Sequence, residues 1–514
     1  MAGENAQMLI GLGIYMALII AMGLWYSRKA NTNIEGYFLA KRGFGPWLTS
    51  LSAQASDMSG WLLMGLPGVA FFMGIGYAFW VVLGLFIGTW VNWAVVAKRL
   101  RTYSEVADNA ITLPEFFSKR FHDNRRILLA VAALISLLFF SIYVGAQLIV
   151  VGRVFNHIFD LPITIMVIIG AVVVLSYTLI GGFLAVGITD VVQSLLMVTA
   201  LTLVMIFGVV HVGGVAGVVE NLQTFPRFLD FFGMAEPTGI VNGVPIFGEG
   251  TSLTFLAVIS LMAWGLGYFG MPQVLVRFMA INKISNFKTS RVIAIVWVFV
   301  GMFAAVSIGL LGRAIFPGAF ATGGDAETVF ILLSQNFFPP LLAGVVISGI
   351  LAASMSSTDS YMLIVSSSLA NDIYKGIFDK NASEKKVMWI ARVTMLLVTV
   401  FGIVVAVGNQ PIFQVVAYAW AGLGASFGPL ILFSLFWKRT TFAGALSGML
   451  AGGFMVVIWR NFIRPLHYSV DVFELLPAFV ISCLVIVIVS LATKKPSAAV
   501  EKEFEEAKAR GKIA

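Results

Sequence analysis

The stretch SAQASDMSGWLLMGLPG (residues 52–68) places Gly60, Gly65, Pro67 and Gly68 inside an apolar run long enough to cross a membrane, with Ser56, Asp57 and Ser59 beside them. A second stretch, MAWGLGYFGMP (residues 262–272), repeats the pattern with Gly265, Gly267, Gly270 and Pro272. Gly and Pro loosen or remove helical hydrogen bonds, and in a membrane the freed backbone groups need other partners. One such span is compatible with an ordinary kink. Two at corresponding positions point to an inverted-repeat transporter, with the cargo bound where both helices unwind. Spans two to six and seven to eleven would then be five-helix repeats.

Both stretches lie in a chain of 514 residues that is 59% apolar and 11% charged, with a mean hydropathy of +0.94. Soluble proteins carry roughly 25% charged residues. A soluble enzyme, a nucleic-acid-binding protein and a disordered chain are excluded, and an all-α polytopic membrane protein is expected. Hydrophobic segments of about 20 residues predict 13 transmembrane helices, near 8–27, 46–74, 78–97, 127–152, 163–182, 190–212, 252–275, 291–312, 340–370, 387–407, 412–436, 441–460 and 471–492. The alternating strands of a membrane barrel are absent. The expected layout is one transmembrane domain over 1–514. It comprises a leading helix and loop (1–45), a first repeat (46–212), a second repeat (252–437), two trailing helices (441–492) and a cytoplasmic tail (493–514). The opening MAGENAQ has no positive charge and no small-residue cleavage site after it, so the first segment is expected to be a retained span. The single Cys483 excludes an internal disulfide or a cysteine metal site.

The net charge of +8 arises from 33 Lys and Arg against 25 Asp and Glu. Sorted by alternate loops, 28 basic residues fall on the side of the tail; Arg153, Arg227, Arg313, Arg460 and Arg464 fall on the other. That split puts the tail in the cytoplasm and the N-terminus outside. Arg277 counts here as a loop cation. The tail EKEFEEAKARGKIA (501–514) is expected as a solvated helix, and 213–251 as an outer loop with partial helix. Among the acids, Asp57, Asp190 and Asp359 fall within spans or at their edges, where ionisable groups are costly and usually functional. Span nine, SGILAASMSSTDSYMLIVSSSLANDIYK (348–375), crowds Ser354, Ser356, Ser357, Thr358 and Ser360 around Asp359. Small hydroxyl residues also serve helix packing, but oxygens at this density suit a hard cation such as sodium.

ASDMSGWLLMGLPG (55–68), YTLIGGFLAVGITDVVQ (177–193), WGLGYFGMPQVLVRFMA (264–280) and ILAASMSS (350–357) resemble the sodium/solute symporter family, and the likeness runs over nearly the whole chain. The resemblance implies a LeuT-type fold: a 5+5 inverted-repeat core, one preceding helix and two trailing ones. It implies a sodium site made by the carbonyls of Ala55, Met58 and Ala353 and the hydroxyls of Ser356 and Ser357. Threonine is familiar at the last position; Ser357 keeps the hydroxyl. Asp57 would be the charge that organises the sodium path. Asp190, Ser356, Asp359 and Ser360 match a second cation position of some members, although Asp359 departs from the usual hydroxyl there; the alternative for Asp190 is a gate or salt bridge. For the solute the resemblance implies Ser59, Trp61, Tyr143, Trp264, Tyr268 and Pro272. Glu327 matches an outer-gate position, with a plain solvated charge as the alternative.

The function so implied is sodium-coupled import of L-proline by alternating access across a bacterial cytoplasmic (inner) membrane, with another small amino acid or a vitamin such as pantothenate as the alternative cargo. Aromatic faces can bury the pyrrolidine ring and attract its ammonium, and unwound amides can take its carboxylate. Co-transported sodium is the only cofactor expected, the bilayer the only surface partner, and neither nucleic acid nor an obligatory protein is required. An enzyme is not expected. An ion channel would show a filter-like carbonyl motif, and a membrane sensor a long signalling domain; neither is evident.

Overall fold

The computed structural model describes residues 2–30, 34–179, 182–235, 237–241, 243–467 and 471–513. Its longer helices in chain order are α1 (Ala2–Ala30), α2 (Pro46–Gly60), α3 (Leu66–Met73), α4 (Ile75–Val106), α5 (Leu113–Arg120) and α6 (Ile127–Phe159). Next come α7 (Ile163–Thr178), α8 (Phe183–His211), α9 (Val215–Leu222), α10 (Phe255–Met262), α11 (Pro272–Ala280) and α12 (Phe287–Ile315). The last are α13 (Val329–Phe337), α14 (Pro340–Phe378), α15 (Glu384–Val407), α16 (Ile412–Phe436), α17 (Phe442–Ile458), α18 (Leu475–Ala492) and α19 (Ala498–Ile513).

Among the described residues, 10 helices are long and apolar enough to cross a membrane, and 11 if the pair Phe255–Gly270 and Pro272–Ala280, bent by 43°, is one span. Two of the thirteen expected segments fall short for identifiable reasons. The 46–74 segment is split into α2 and α3, each too short alone. The 163–182 segment yields only the 16 residues of α7.

The core centres on two helices. The apolar stretches of α14 and α16 are 83% and 89% buried, against 33–56% for the other eight. α14 packs against α1, α2, α6 and α8, while α16 packs against α6, α17, α18 and the turn 263–270. The span-nine hydroxyls and the second interrupted span therefore face protein rather than lipid.

Three features depart from the expectations. The segment after α8 contains strands besides the helix α9: β1 (Gly233–Met234) pairs antiparallel with β4 (Thr251–Ser252), and β2 (Pro237–Val241) with β3 (Val244–Phe247). The sequence signal was the Asn–Gly pair at 242–243, a dipeptide that favours hairpins between strands. Second, α19 is docked rather than solvated. Val500, Phe504 and Ala507 form a buried i, i+4, i+7 stripe. Phe504 lies 5.5 and 5.4 Å from the guanidinium carbons of Arg99 and Arg120. Third, Arg42, Arg101, Arg120 and Arg277 are buried within the protein rather than standing in solvated loops.

Candidate functional site

α2 begins with Pro46 at its first turn after extended Gly45, a favourable start. It ends abruptly at Ser59, whose φ of 50° and ψ of −176° lie in a region almost reserved for glycine. The chain then resumes as a wider π-type turn over Trp61–Gly65 before α3. Two side chains hold the break. The Trp61 N–H donates to Ser59 Oγ at 3.2 Å, and the Gly60 N–H donates to Gln147 Oε1 of α6 at 3.0 Å.

The second break has different mechanics. α10 tightens into 3₁₀ turns over Ala263–Gly270, then Met271 turns extended (φ −79°, ψ 105°) and Pro272 starts α11. The released carbonyls are taken by side chains: Asn92 Nδ2 donates to Tyr268 O, and Trp420 Nε1 to Trp264 O, both at 2.9 Å. Glycine is required where neighbours press in. A Cβ on Gly265 would lie 2.1 Å from the Gly84 carbonyl, and one on Gly267 would lie 2.0 Å from Trp420 Nε1.

The residues expected to hold sodium lie together where α2 crosses α14. Ser356 Oγ is 2.8 Å from Ala55 O and 3.1 Å from Ala353 O, and Ser357 Oγ is 3.3 Å from Ala55 O. All four residues are buried. The Met58 carbonyl, at the end of α2, receives the Trp61 N–H. Oxygens of this kind, main-chain and hydroxyl without sulfur or imidazole, match what a hard monovalent cation binds.

Beside this cluster, Asp57, Met58, Trp61, Tyr143, Trp264 and Tyr268 line one pocket. Leu85, Val416 and Trp420, which sequence reasoning missed, complete its wall. Gln273 Nε2 approaches Asp57 Oδ1 at 3.3 Å. Ser59 and Pro272 shape the two breaks but do not line this pocket. The pocket is closed down to about 10 Å³, the room of one water. Its roof is a ring cluster: Trp61 and Trp264 centroids are 5.3 Å apart, and Phe413 lies 5.8 and 5.1 Å from them. Beyond the roof a vestibule of about 1250 Å³ opens, with Arg153, Glu327, Arg460, Arg464 and Glu474 in its walls.

Two ionic clusters flank the pocket. In one, Glu327 is buried, ion-paired with Arg153, and accepts the N–H groups of Ile412 and Phe413 at 2.9 Å each. It thus caps α16, which a carboxylate at a helix start does favourably. Burial pushes its carboxyl above the usual range, while Arg153 and the two N–H groups favour the charged form. The plain solvated charge considered for Glu327 is thereby corrected.

In the other, Arg277 Nη2 reaches Asp190 Oδ2 at 3.1 Å and Ser360 Oγ at 2.7 Å; Ser52 Oγ donates to the same Asp190 oxygen at 2.7 Å. Asp359 accepts a hydrogen bond from Thr178. Arg277 was missed as a site residue because a basic residue beside a loop ordinarily marks the loop. Its partner Asp190 is 87 residues away, beyond any periodicity.

A model of the sodium:solute symporter family matches residues 37–452. The sodium/proline symporter of Escherichia coli is 41% identical over 98% of this chain and 97% of its own. The osmoregulated proline transporter OpuE of Bacillus subtilis is 40% identical over 97% and 98%. A substrate-bound, outward-open Na+-coupled sialic acid symporter superposes with a TM-score of 0.75 at 18% identity, covering 96% of this chain and 99% of that one. MhsT in complex with L-phenylalanine superposes at 0.53 with 16% identity, covering 87% and 98%. The fold is accordingly LeuT-type. The molecule is a multi-pass membrane transporter and not an enzyme, and it belongs to the sodium:solute symporter family.

Proposed function

We propose that the chain imports L-proline together with sodium across a bacterial cytoplasmic membrane, with its N-terminus outside and its tail in the cytoplasm. The observation that carries this reading is the meeting of Ala55 O, Ala353 O and the Ser356 and Ser357 hydroxyls beside the Asp57 pocket. Near full-length identity to proline carriers supports the cargo, and the 28-to-5 split of basic residues supports the orientation.

Residues 46–212 and 252–437 act as the two repeats. Sodium enters through the vestibule and joins α2 to α14 at Ala55, Met58, Ala353, Ser356 and Ser357, drawn by Asp57. Proline enters as a zwitterion under the ring roof and lies between Trp61, Tyr143, Trp264 and Tyr268. Ser59 and Pro272 set the break geometry from which main-chain amides reach its carboxylate. Sodium tightens proline binding, and proline tightens sodium binding by the same factor. Glu327 with Arg153 is the outer gate. Asp190 and Ser360 act through Arg277 as the inner closure, because a second cation there would meet a fixed guanidinium. One charge crossing 100 mV contributes roughly 2.3 kcal/mol to accumulation of a neutral solute.

The test is uptake of labelled proline into proteoliposomes under an inward sodium gradient, with other small amino acids and pantothenate as competitors. Sodium-stimulated proline uptake is expected. Sodium-stimulated uptake of pantothenate or another amino acid, without proline, would overturn the cargo assignment.

A further inference from the structure

We propose that Gln147 is the positioning residue that ties the broken helix α2 to the hydroxyl-bearing helix α14, and so transmits sodium occupancy to the solute pocket; this rests on the sodium–proline reading above. The residue has two ends at work. Its side-chain Oε1 accepts the Gly60 N–H at 3.0 Å, directly after strained Ser59. Its main-chain carbonyl accepts Ser354 Oγ of α14, also at 3.0 Å. A single residue of α6 therefore touches both partners of the proposed ion site through different atoms.

The surroundings make this contact specific. A strained φ persists only where neighbours over-determine it, and the Gly60 N–H is freed by that strain. Because that N–H can only donate, Oε1 must face it, which fixes the orientation of the amide. Nε2 is buried and has no hydrogen-bond partner among the described residues. Val150, almost one turn along α6, presses on Gly60 so closely that a Cβ there would lie 2.5 Å from Val150 Cγ2. Tyr143, one turn the other way, lines the pocket. The face of α6 from 143 to 150 thus senses the break and the pocket together.

The chemistry of the two ends separates three variants. Gln147→Leu removes the acceptor. Gln147→Glu, assayed at a pH that keeps its carboxyl protonated, keeps an oxygen facing Gly60 without adding a charge. Ser354→Ala cuts the link to α14 and leaves the link to Gly60 intact. The readout is the ratio of proline dissociation constants without and with saturating sodium, measured by equilibrium binding on purified full-length protein. Gln147→Leu is expected to reduce that ratio about tenfold, within the usual span of coupling between sites. Ser354→Ala should reduce it in the same direction, and Gln147→Glu should restore it to within about threefold of the parent. A folded Gln147→Leu protein with the parental ratio would overturn the proposal, as would a Gln147→Glu protein that behaves like the leucine variant. If the leucine variant does not fold, an unchanged ratio in Ser354→Ala overturns it equally. Failure of the parent protein to bind proline in a sodium-dependent way would instead defeat the functional reading.

Discussion

Ser356 places one hydroxyl between two main-chain carbonyls, those of Ala55 on α2 and Ala353 on its own helix. A serine serving only its helix would need the second alone, so the first is the informative contact. Hydrogen bonds to charged groups are worth about 1.5–3 kcal/mol, and loss of an ion ligand is comparable. Ser356→Ala is therefore expected to raise the sodium concentration for half-maximal proline uptake by roughly tenfold to a hundredfold. Sodium titration of initial uptake rates checks this, and an unchanged midpoint removes Ser356 from the site. At this scale the sequence was informative wherever chemistry was unusual for its depth. Asp57 and the span-nine hydroxyls stood out because oxygens are expensive inside a membrane. Arg277, Arg153 and Trp420 did not. A cation beside a loop and an aromatic in a span are ordinary by type, and only contacts 87, 174 and 156 residues away give them meaning.

The two interrupted spans were legible as elements, yet the position of the first break was not. Its glycines at 60, 65 and 68 drew attention, whereas the strained residue is Ser59, held by partners on another helix. In the second span the glycines answer a different need, which is close approach. Gly267→Ala would push a methyl into Trp420, whose indole N–H holds the Trp264 carbonyl and whose ring meets Tyr268 edge-on. Overpacking of this kind costs about 1–3 kcal/mol. The variant is expected to melt at a lower temperature in detergent and to bind proline more weakly, both readable by tryptophan fluorescence. Parental melting and binding would show that Trp420 is free to move, contrary to the packing described. The β2–β3 hairpin was hidden for a simpler reason: its Asn–Gly signal was submerged in a segment read by its overall Gly, Pro and Phe content.

For the whole molecule, composition sufficed to place the chain in a membrane as helices, because the apolar fraction leaves no other solvent. What composition could not convey is how the ends are fastened. α19 looks like a solvated helix by charge, and it is docked through Val500, Phe504 and Ala507 onto α4. Phe→Ala at a buried position costs about 3–5 kcal/mol. Phe504→Ala is thus expected to release the tail, and trypsin should then cut at Lys502, Lys508 or Arg510 about a hundredfold faster or more. Mass spectrometry of a timed digest reads the outcome; equal rates in parent and variant would mean that the docking is held by other contacts.

The proposed ion ligands include main-chain carbonyls of alanines 55 and 353, whereas the pocket wall consists of side chains. A carbonyl survives almost any substitution at its own position, and a wall residue does not. Inheritance acts unequally on the two. A lineage accumulating tolerated substitutions changes what it carries long before it changes what drives the carrying.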